Sequence, residues 1–212
     1  MSVRSKGALI TWTTGVPDGA PVMLLHDRYL DHDASDTLAA ALEPTHRVVS
    51  VRSARTQMED GFIKGYYWYL GPYDVPELST LGDALHHLER LLVRVNAESG
   101  RRVALVGTGE GGSMALAMGL LWREIVAGIV SIDGPLFRTL DEIPMTLPAT
   151  DGLPVLLAGR TRDMSASATA LAARGASVGG GADEAGAIAR WVAGLDYSAG
   201  TILNTPPSSA TA

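Results

Sequence analysis

Several features are missing from this chain of 212 residues, and each absence excludes a class of function. There is no cysteine, which excludes disulfide bonds, thiolate catalysis and zinc sites built on cysteine. No apolar stretch reaches the length of about 18 residues that a membrane span requires. Lysine and arginine form no dense basic run, and the net charge of -6 argues against binding to nucleic acid or to an anionic membrane.

What remains is the composition of an ordinary globular protein, with 46% apolar and 19% charged residues. The length suits one domain, which we predict over residues 1–197. Serine, threonine, proline and alanine dominate the end of the chain, so residues 198–212 are expected to form a flexible tail. The first residues lack the apolar core of a signal peptide, which favours a cytoplasmic protein.

Strand-like apolar runs alternate with longer helical patterns along the chain. This alternation predicts an α/β fold, with a mainly parallel sheet flanked by helices on both faces. The first strand, over residues 8–14, is expected to be antiparallel to the rest. The pattern over residues 77–98 predicts a long amphipathic helix that begins after Pro76 and ends near Gly100.

An aromatic segment, residues 62–73, precedes this helix and is predicted to be a loop. It holds half of the aromatic side chains of the protein: Phe62, Tyr66, Tyr67, Trp68, Tyr69 and Tyr73. The segment either covers the core or forms the wall of a pocket for a flat or apolar ligand. Its position beyond the end of a strand favours the pocket, because ligands bind at that edge of open α/β sheets. The predicted substrate contacts are therefore Tyr66, Tyr67, Trp68 and Tyr69.

A glycine-rich turn in the middle of the chain has two interpretations. Residues 103–116 predict a strand, a tight turn and then a helix. The spacing Gly107-x-Gly109-x-x-Gly112 satisfies the dinucleotide-binding fingerprint, and Asp133 lies about where a ribose-binding acid would. However, the turn follows three earlier strands, and no second half of a dehydrogenase comes after it. We therefore predict no cofactor.

The second interpretation is a resemblance to the α/β-hydrolase superfamily, and especially to its small carboxylesterase/phospholipase-like branch without a large cap. Residues 22–26, Val-Met-Leu-Leu-His, resemble the strand that leads into the oxyanion loop. Residues 111–116, Gly-Gly-Ser-Met-Ala-Leu, resemble the start of the helix after the nucleophile. Residues 154–163 resemble the strand and loop of the triad acid, and residues 187–192 resemble the last helix. The resemblance spans residues 7–195.

The resemblance implies a catalytic triad, but two of its three members are absent. The triad order in this superfamily is Ser, Asp, His. Gly109 stands at the serine position, and Asp163 matches the acid. The histidine is expected at residues 179–183, which contain Gly-Gly-Gly-Ala-Asp, and no histidine follows His87. The oxyanion loop has also changed, since Asp27, Arg28 and Tyr29 stand where glycine-rich sequence is expected.

Polar residues at the predicted carboxyl edge of the sheet offer an alternative chemistry without a nucleophile. The candidate catalytic residues are His26, Arg28, Tyr29, Glu110 and Asp163. The further candidate substrate contacts are Gly109 and Asp133. His26 is the best candidate base, yet it is also typical of a histidine that bonds to the backbone beneath its own loop. Glu110 is equally explained by a helix N-terminus, and Asp163 by a helix cap. The histidine spacing matches no standard metal site, so no metal is predicted.

These observations support three hypotheses. The first is a cofactor-free cyclase, lyase or isomerase that acts on a small apolar or aromatic metabolite. The second is a catalytically dead hydrolase homologue that acts as a binding or partner protein. The third is an esterase whose nucleophile is displaced to Thr108 or Ser113. The expected partner is a small molecule, with no nucleic acid and no membrane, and the sequence leaves a homodimer open.

Overall fold

A computed structural model describes residues 2–5, 8–139, 150–181 and 184–199 of the chain. The strands in this part of the chain are β1 (Ser2–Ser5), β2 (Ile10–Gly15), β3 (Ala20–Leu25), β4 (His46–Arg52), β5 (Arg55–Glu59), β6 (Phe62–Tyr67), β7 (Val103–Thr108), β8 (Val126–Ile132), β9 (Pro154–Ala158) and β10 (Ser177–Gly180). The α-helices are α1 (Asp36–Leu42), α2 (Leu78–Ser99), α3 (Glu110–Leu121), α4 (Ser165–Ala173) and α5 (Ala185–Ala193). Two short 3-10 helices cover His32–Ser35 and Arg123–Ile125.

Eight of these strands form one twisted sheet in the order β1-β2-β4-β3-β7-β8-β9-β10. The six strands from β4 to β10 in that order are parallel to one another, whereas β1 and β2 pair antiparallel at one edge. The predicted mainly parallel sheet is confirmed, and the predicted antiparallel strand over residues 8–14 corresponds to β2, which follows a short strand β1 that the sequence pattern did not predict. The strand order changes direction at β3, since β4 lies on one side of β3 and β7 on the other. In open α/β sheets the crevice at such a point is the usual place for a ligand.

Helices cover both faces of the sheet, as predicted, and each face has its own apolar core. Along β7 the side chains alternate, so that Leu105 packs with α2, α3 and α4 while Val106 packs with α1 and α5. Within the described residues no further domain covers the carboxyl edge of the sheet, which agrees with the prediction of no large cap. No helix in this part of the chain is long and apolar enough to cross a membrane.

The aromatic segment is a β-hairpin in its first half, and the prediction of a loop is wrong there. Strands β5 and β6 pair antiparallel and are joined by Asp60 and Gly61, which have φ angles of 51° and 81°. Two consecutive positive φ angles are typical of the type I′ turn that Asp-Gly favours in short hairpins. The Asp-Gly pair was therefore the sequence signal that identifies this hairpin.

Other boundaries differ in places that bear on the site. Helix α3 begins at Glu110, directly after the glycine turn. Strand β10 includes residues 179 and 180 of the stretch 179–183, where the resemblance implies a loop with a histidine, and residues 182 and 183 lie outside the described residues. The backbone carbonyl of Ser198 accepts a hydrogen bond from Arg102 Nε over 3.2 Å, so the predicted tail is held at its first residue. The rest of that prediction, from residue 200 onward, lies outside the described residues.

Candidate functional site

The glycine turn joins β7 to α3 at the carboxyl edge of the sheet. Gly109 has φ 50° and ψ -116°, a conformation that strongly favours glycine. Its N–H donates to the carbonyl of Ile132 over 2.7 Å, and its carbonyl accepts the N–H of Ser113 over 3.1 Å. A Cβ on Gly111 would overlap the backbone of Leu25, so the glycines let α3 approach the loop after β3. This close approach brings Asp27 onto the turn.

The carboxylate of Asp27 fills the space above Gly109. Its Oδ1 accepts three hydrogen bonds, from the N–H of Arg28 over 2.6 Å, the N–H of Glu110 over 2.8 Å and the hydroxyl of Tyr73 over 3.0 Å. A Cβ built on Gly109 would overlap this carboxylate. Position 109 therefore has no room for a side chain while Asp27 stays in place. We call these five residues, Asp27, Arg28, Tyr73, Gly109 and Glu110, the closed centre.

Arg28 and Glu110 form a buried ion pair within the closed centre. Glu110 Oε1 accepts hydrogen bonds from Arg28 Nε over 3.0 Å and from Arg28 Nη2 over 2.6 Å. Its other oxygen accepts the N–H of Trp68 over 2.7 Å. The side chain of Glu110 is fully buried. Burial raises the pKa of Glu110, while the N–H of Trp68 and the guanidinium of Arg28 oppose that shift. Both predicted catalytic residues thus direct their charged atoms at each other.

His26 lies beneath the same loop, with both ring nitrogens bonded to backbone. Nδ1 lies 2.7 Å from the carbonyl of Asp27, which assigns the proton to Nδ1, and Nε2 accepts the N–H of Ser53 over 3.1 Å. The ring stacks on Trp68 at 5.0 Å. Burial lowers the pKa of His26, so the ring is held in its neutral form. The sequence left two interpretations of His26 open, a base and a ring that bonds to the backbone beneath its own loop. These contacts are those of the second interpretation.

The predicted aromatic substrate contacts divide between two environments. Trp68 and Tyr69 are buried, and the hydroxyl of Tyr69 donates to the carbonyl of Tyr73 over 2.8 Å. Tyr66 and Tyr67 end the hairpin and are partly exposed. The buried pair packs under the closed centre, where no ligand reaches it, so this placement does not favour substrate contact by Trp68 and Tyr69.

Tyr29 is a surface residue in a strained conformation. Its side chain is half exposed, and its φ is 64°. Its N–H donates to the carbonyl of Tyr66 over 2.7 Å, which ties the loop after β3 to the hairpin. The ring is therefore accessible at the rim of the closed centre.

The two predicted acids after β8 and β9 are bonded to nearby loop groups. Asp133 Oδ1 accepts the N–H groups of Arg160, Thr161 and Arg162 over 2.7, 2.9 and 3.1 Å. These backbone bonds outweigh burial and lower the pKa of Asp133. Asp163 accepts both the N–H and the hydroxyl of Ser165 over 2.9 Å, at the start of α4. Asp163 precedes Met164, the N-cap residue of α4, so its hydrogen bonds hold the chain where it enters that helix.

A cavity of about 340 Å³ opens on the other side of Gly109, and sequence reasoning missed it. It lies on the face of the sheet that α1 and α5 cover, and we call it the α1–α5 cavity. Its lining includes the buried side chains of Leu38, Ile132 and Ile188 and the partly buried Thr108, and the exposed Arg160 and Glu184 lie at its mouth. In the described part of the chain, no group of three histidine, aspartate or glutamate side chains is arranged to hold a metal ion.

Comparison with known proteins identifies the architecture. No family model matches the chain, and no curated protein matches it either. Among solved structures, a carboxylesterase from Mesorhizobium loti is 20% identical and superposes with a TM-score of 0.71, over 91% of this chain and 98% of that one. The chain has the α/β-hydrolase fold. Arabidopsis thaliana SOBER1 is similar at 16% identity and a TM-score of 0.68, over 82% of this chain and 97% of that one.

A carboxylesterase from Bacillus cereus is also similar, at 19% identity and a TM-score of 0.65, over 86% of this chain and 92% of its own. These identities establish the α/β-hydrolase fold and leave the activity of this chain open.

In the α/β-hydrolase fold the nucleophile stands between strand and helix, where Gly109 lies here. The oxyanion hole is formed by the N–H of the next residue and an N–H from an earlier strand–helix loop. In this chain the N–H groups of Glu110, which follows Gly109, and of Arg28, in the loop after β3, both donate to Asp27.

Proposed function

We propose that this protein uses the α/β-hydrolase fold to bind a small molecule and does not catalyse acyl transfer. The observation that carries the proposal is the position of Asp27. Its carboxylate takes both N–H groups that would stabilise an oxyanion and fills the space of the nucleophile side chain. An ester carbonyl has no place to dock there until Asp27 moves, and no histidine follows His87 to serve as base.

The hydroxyls nearest the turn offer poor replacements for the nucleophile. Ser113 is fully buried, and its Oγ lies 3.5 Å from the carbonyl of Gly109. Thr108 lines the α1–α5 cavity, whose lining does not include Asp27. Neither hydroxyl has a histidine base within its hydrogen-bond contacts, which nucleophilic attack by a serine or threonine requires.

The hypothesis of a cyclase, lyase or isomerase needs a group that exchanges a proton with the ligand. Three of the five candidates for that role are His26, Arg28 and Glu110. Each directs its polar atoms at protein partners, and each is buried or nearly so. We therefore place binding before acid/base catalysis, and the acid/base enzyme stays a prediction.

The decisive experiment is a search for ester turnover with controls that expose contamination. The purified protein is given p-nitrophenyl esters from acetate to octanoate, and separately a fluorophosphonate probe that labels nucleophilic serines. A serine carboxylesterase serves as the positive control. We expect no saturable turnover and no labelling.

Variants Ser113→Ala and Thr108→Val complete the test. Saturable turnover that disappears in either variant would contradict the proposal and would identify a displaced nucleophile. Turnover that is equal in wild type and both variants, and that varies with the preparation, belongs to a contaminating esterase and leaves the expected result of no activity in place.

A further inference from the structure

The α1–α5 cavity combines an apolar interior with a hydroxyl that has no partner. Leu38, Ile132 and Ile188 supply apolar surface, and Thr108 adds a hydroxyl at the end of β7. Ser35 also lines the cavity and is 7% exposed. It stands at the N-cap of α1, but its side chain makes no cap bond, and its hydroxyl has no hydrogen-bond partner among the described residues. A hydroxyl of this kind, without a protein partner at the surface of a cavity, favours a polar ligand atom there.

The start of α5 points to the charge of that ligand. Ala185, the first residue of α5, lines the cavity, and Glu184 at its N-cap makes no side-chain cap bond. The first N–H groups of a helix have no partners within it and carry partial positive charge. Arg160 adds a full positive charge at the mouth, on a loop that Asp133 holds in place through the backbone. Glu184 is the opposing charge at the mouth, and it is exposed to solvent.

We infer that the α1–α5 cavity binds a short aliphatic monocarboxylic acid. Its carboxylate faces Arg160, Ser35 and the first turn of α5, and its alkyl chain packs on Leu38, Ile132 and Ile188. A volume of about 340 Å³ admits only a small ligand. The ligand class rests on the proposed binding function, and the binding site is separate from the closed centre.

Isothermal calorimetry with three ligands of matched length tests the inference. Hexanoate is compared with hexanol and hexylamine, and thermal unfolding verifies that each variant is folded. We expect saturable binding of hexanoate, binding of hexanol that is weaker by about tenfold, and none of hexylamine, because charge-assisted hydrogen bonds distinguish the head groups.

Charge variants at the mouth give opposite expected shifts. Arg160→Gln should weaken hexanoate binding about tenfold, and Glu184→Gln should tighten it by about twofold. Arg162→Gln is the matched control, since Arg162 is on the same loop but outside the cavity lining, and it should leave the Kd unchanged.

Three results would overturn the inference: no binding of hexanoate, tighter binding of hexylamine, or equal losses in Arg160→Gln and Arg162→Gln. None of them restores ester turnover, so the failure of the ligand class is distinct from the failure of the proposed function. The proposed function is contradicted only by turnover in the ester assay.

Discussion

The closed centre and the α1–α5 cavity lie at the same edge of the sheet, but their polar groups differ in whether they have hydrogen-bond partners within the protein. Around Gly109, the carboxylates of Asp27 and Glu110 are bonded to the protein itself. At the α1–α5 cavity, the hydroxyl of Ser35 has no hydrogen-bond partner among the described residues. Polar groups with hydrogen-bond partners inside the protein stabilise its fold, whereas a polar group at a cavity without such a partner is able to bond to a ligand. The closed centre thus has the character of a structural core.

The largest expected effect comes from the ion pair of the closed centre. Arg28→Met leaves Glu110 buried without its cation, and we expect a loss of about 3 kcal/mol in the free energy of unfolding, measured in urea. The control is Arg55→Met. Arg55 pairs with Asp83 at the same distance of 2.6 Å and also donates to a backbone carbonyl, but Asp83 is half exposed. A loss of about 1 kcal/mol is expected there. Equal losses of unfolding free energy in Arg28→Met and Arg55→Met would contradict the structural role of the closed centre.

The next effect concerns the space above the glycine turn. Gly109→Ala is expected to destabilise the protein by about 2–3 kcal/mol, because it adds an overlap with Asp27 to the cost of a positive φ. Gly100→Ala is the matched control, since Gly100 has φ 65° and no atom near its Cβ position. It should lose only about 1 kcal/mol.

A double variant separates steric overlap from backbone strain at Gly109. In an Asp27→Ala background the overlap is gone, so Gly109→Ala should cost less than it does in the wild type, and the cost that remains is the backbone strain at φ 50° and ψ -116°. Urea unfolding of the four proteins of the cycle measures the coupling. Strictly additive losses would show that Asp27 does not occupy the space above Gly109.

A smaller effect is expected from pH. Burial lowers the pKa of His26 in the folded state, so folding favours the neutral ring. Stability is therefore complete above the ordinary histidine pKa of about 6.5 and falls as the pH drops below it. His26→Gln should flatten that fall between pH 7 and pH 5. Burial lowers the pKa of His46 as well, so His46→Gln is measured beside it. If the dependence of stability on pH is the same in His26→Gln as in the wild type, the His26 ring takes up a proton as readily in the folded protein as in the unfolded chain.

Two hydroxyl deletions give the smallest effect and the sharpest contrast. Tyr73→Phe removes the donor to Asp27 and should cost about 1 kcal/mol. Ser35→Ala removes a buried hydroxyl without a partner and should change stability by less than about 0.5 kcal/mol. Thermal unfolding measures both. A larger loss in Ser35→Ala than in Tyr73→Phe would reverse the comparison between the two regions.

Sequence patterns were sufficient for the fold and for the tight turn at Gly109. The strands are continuous apolar runs and the glycines mark a tight turn, and both are local signals. The role of Asp27 was not predictable, because it depends on where a loop after β3 meets a helix that begins more than eighty residues later. The α1–α5 cavity is likewise formed by residues from five separate segments. Aromatic clustering misled the prediction for Trp68 and Tyr69, since it is equally typical of a core and of a pocket.

One NMR titration tests the contrast between the two regions directly. Backbone amide shifts of the ¹⁵N-labelled protein are followed while hexanoate is added. The amides of Ser35, Thr108 and Ala185 should shift in a saturable way, and those of Arg28 and Glu110 should stay unchanged because Asp27 already occupies them. Saturable shifts at Arg28 and Glu110, with none around the cavity, would show instead that the oxyanion site is open and that the centre is not closed.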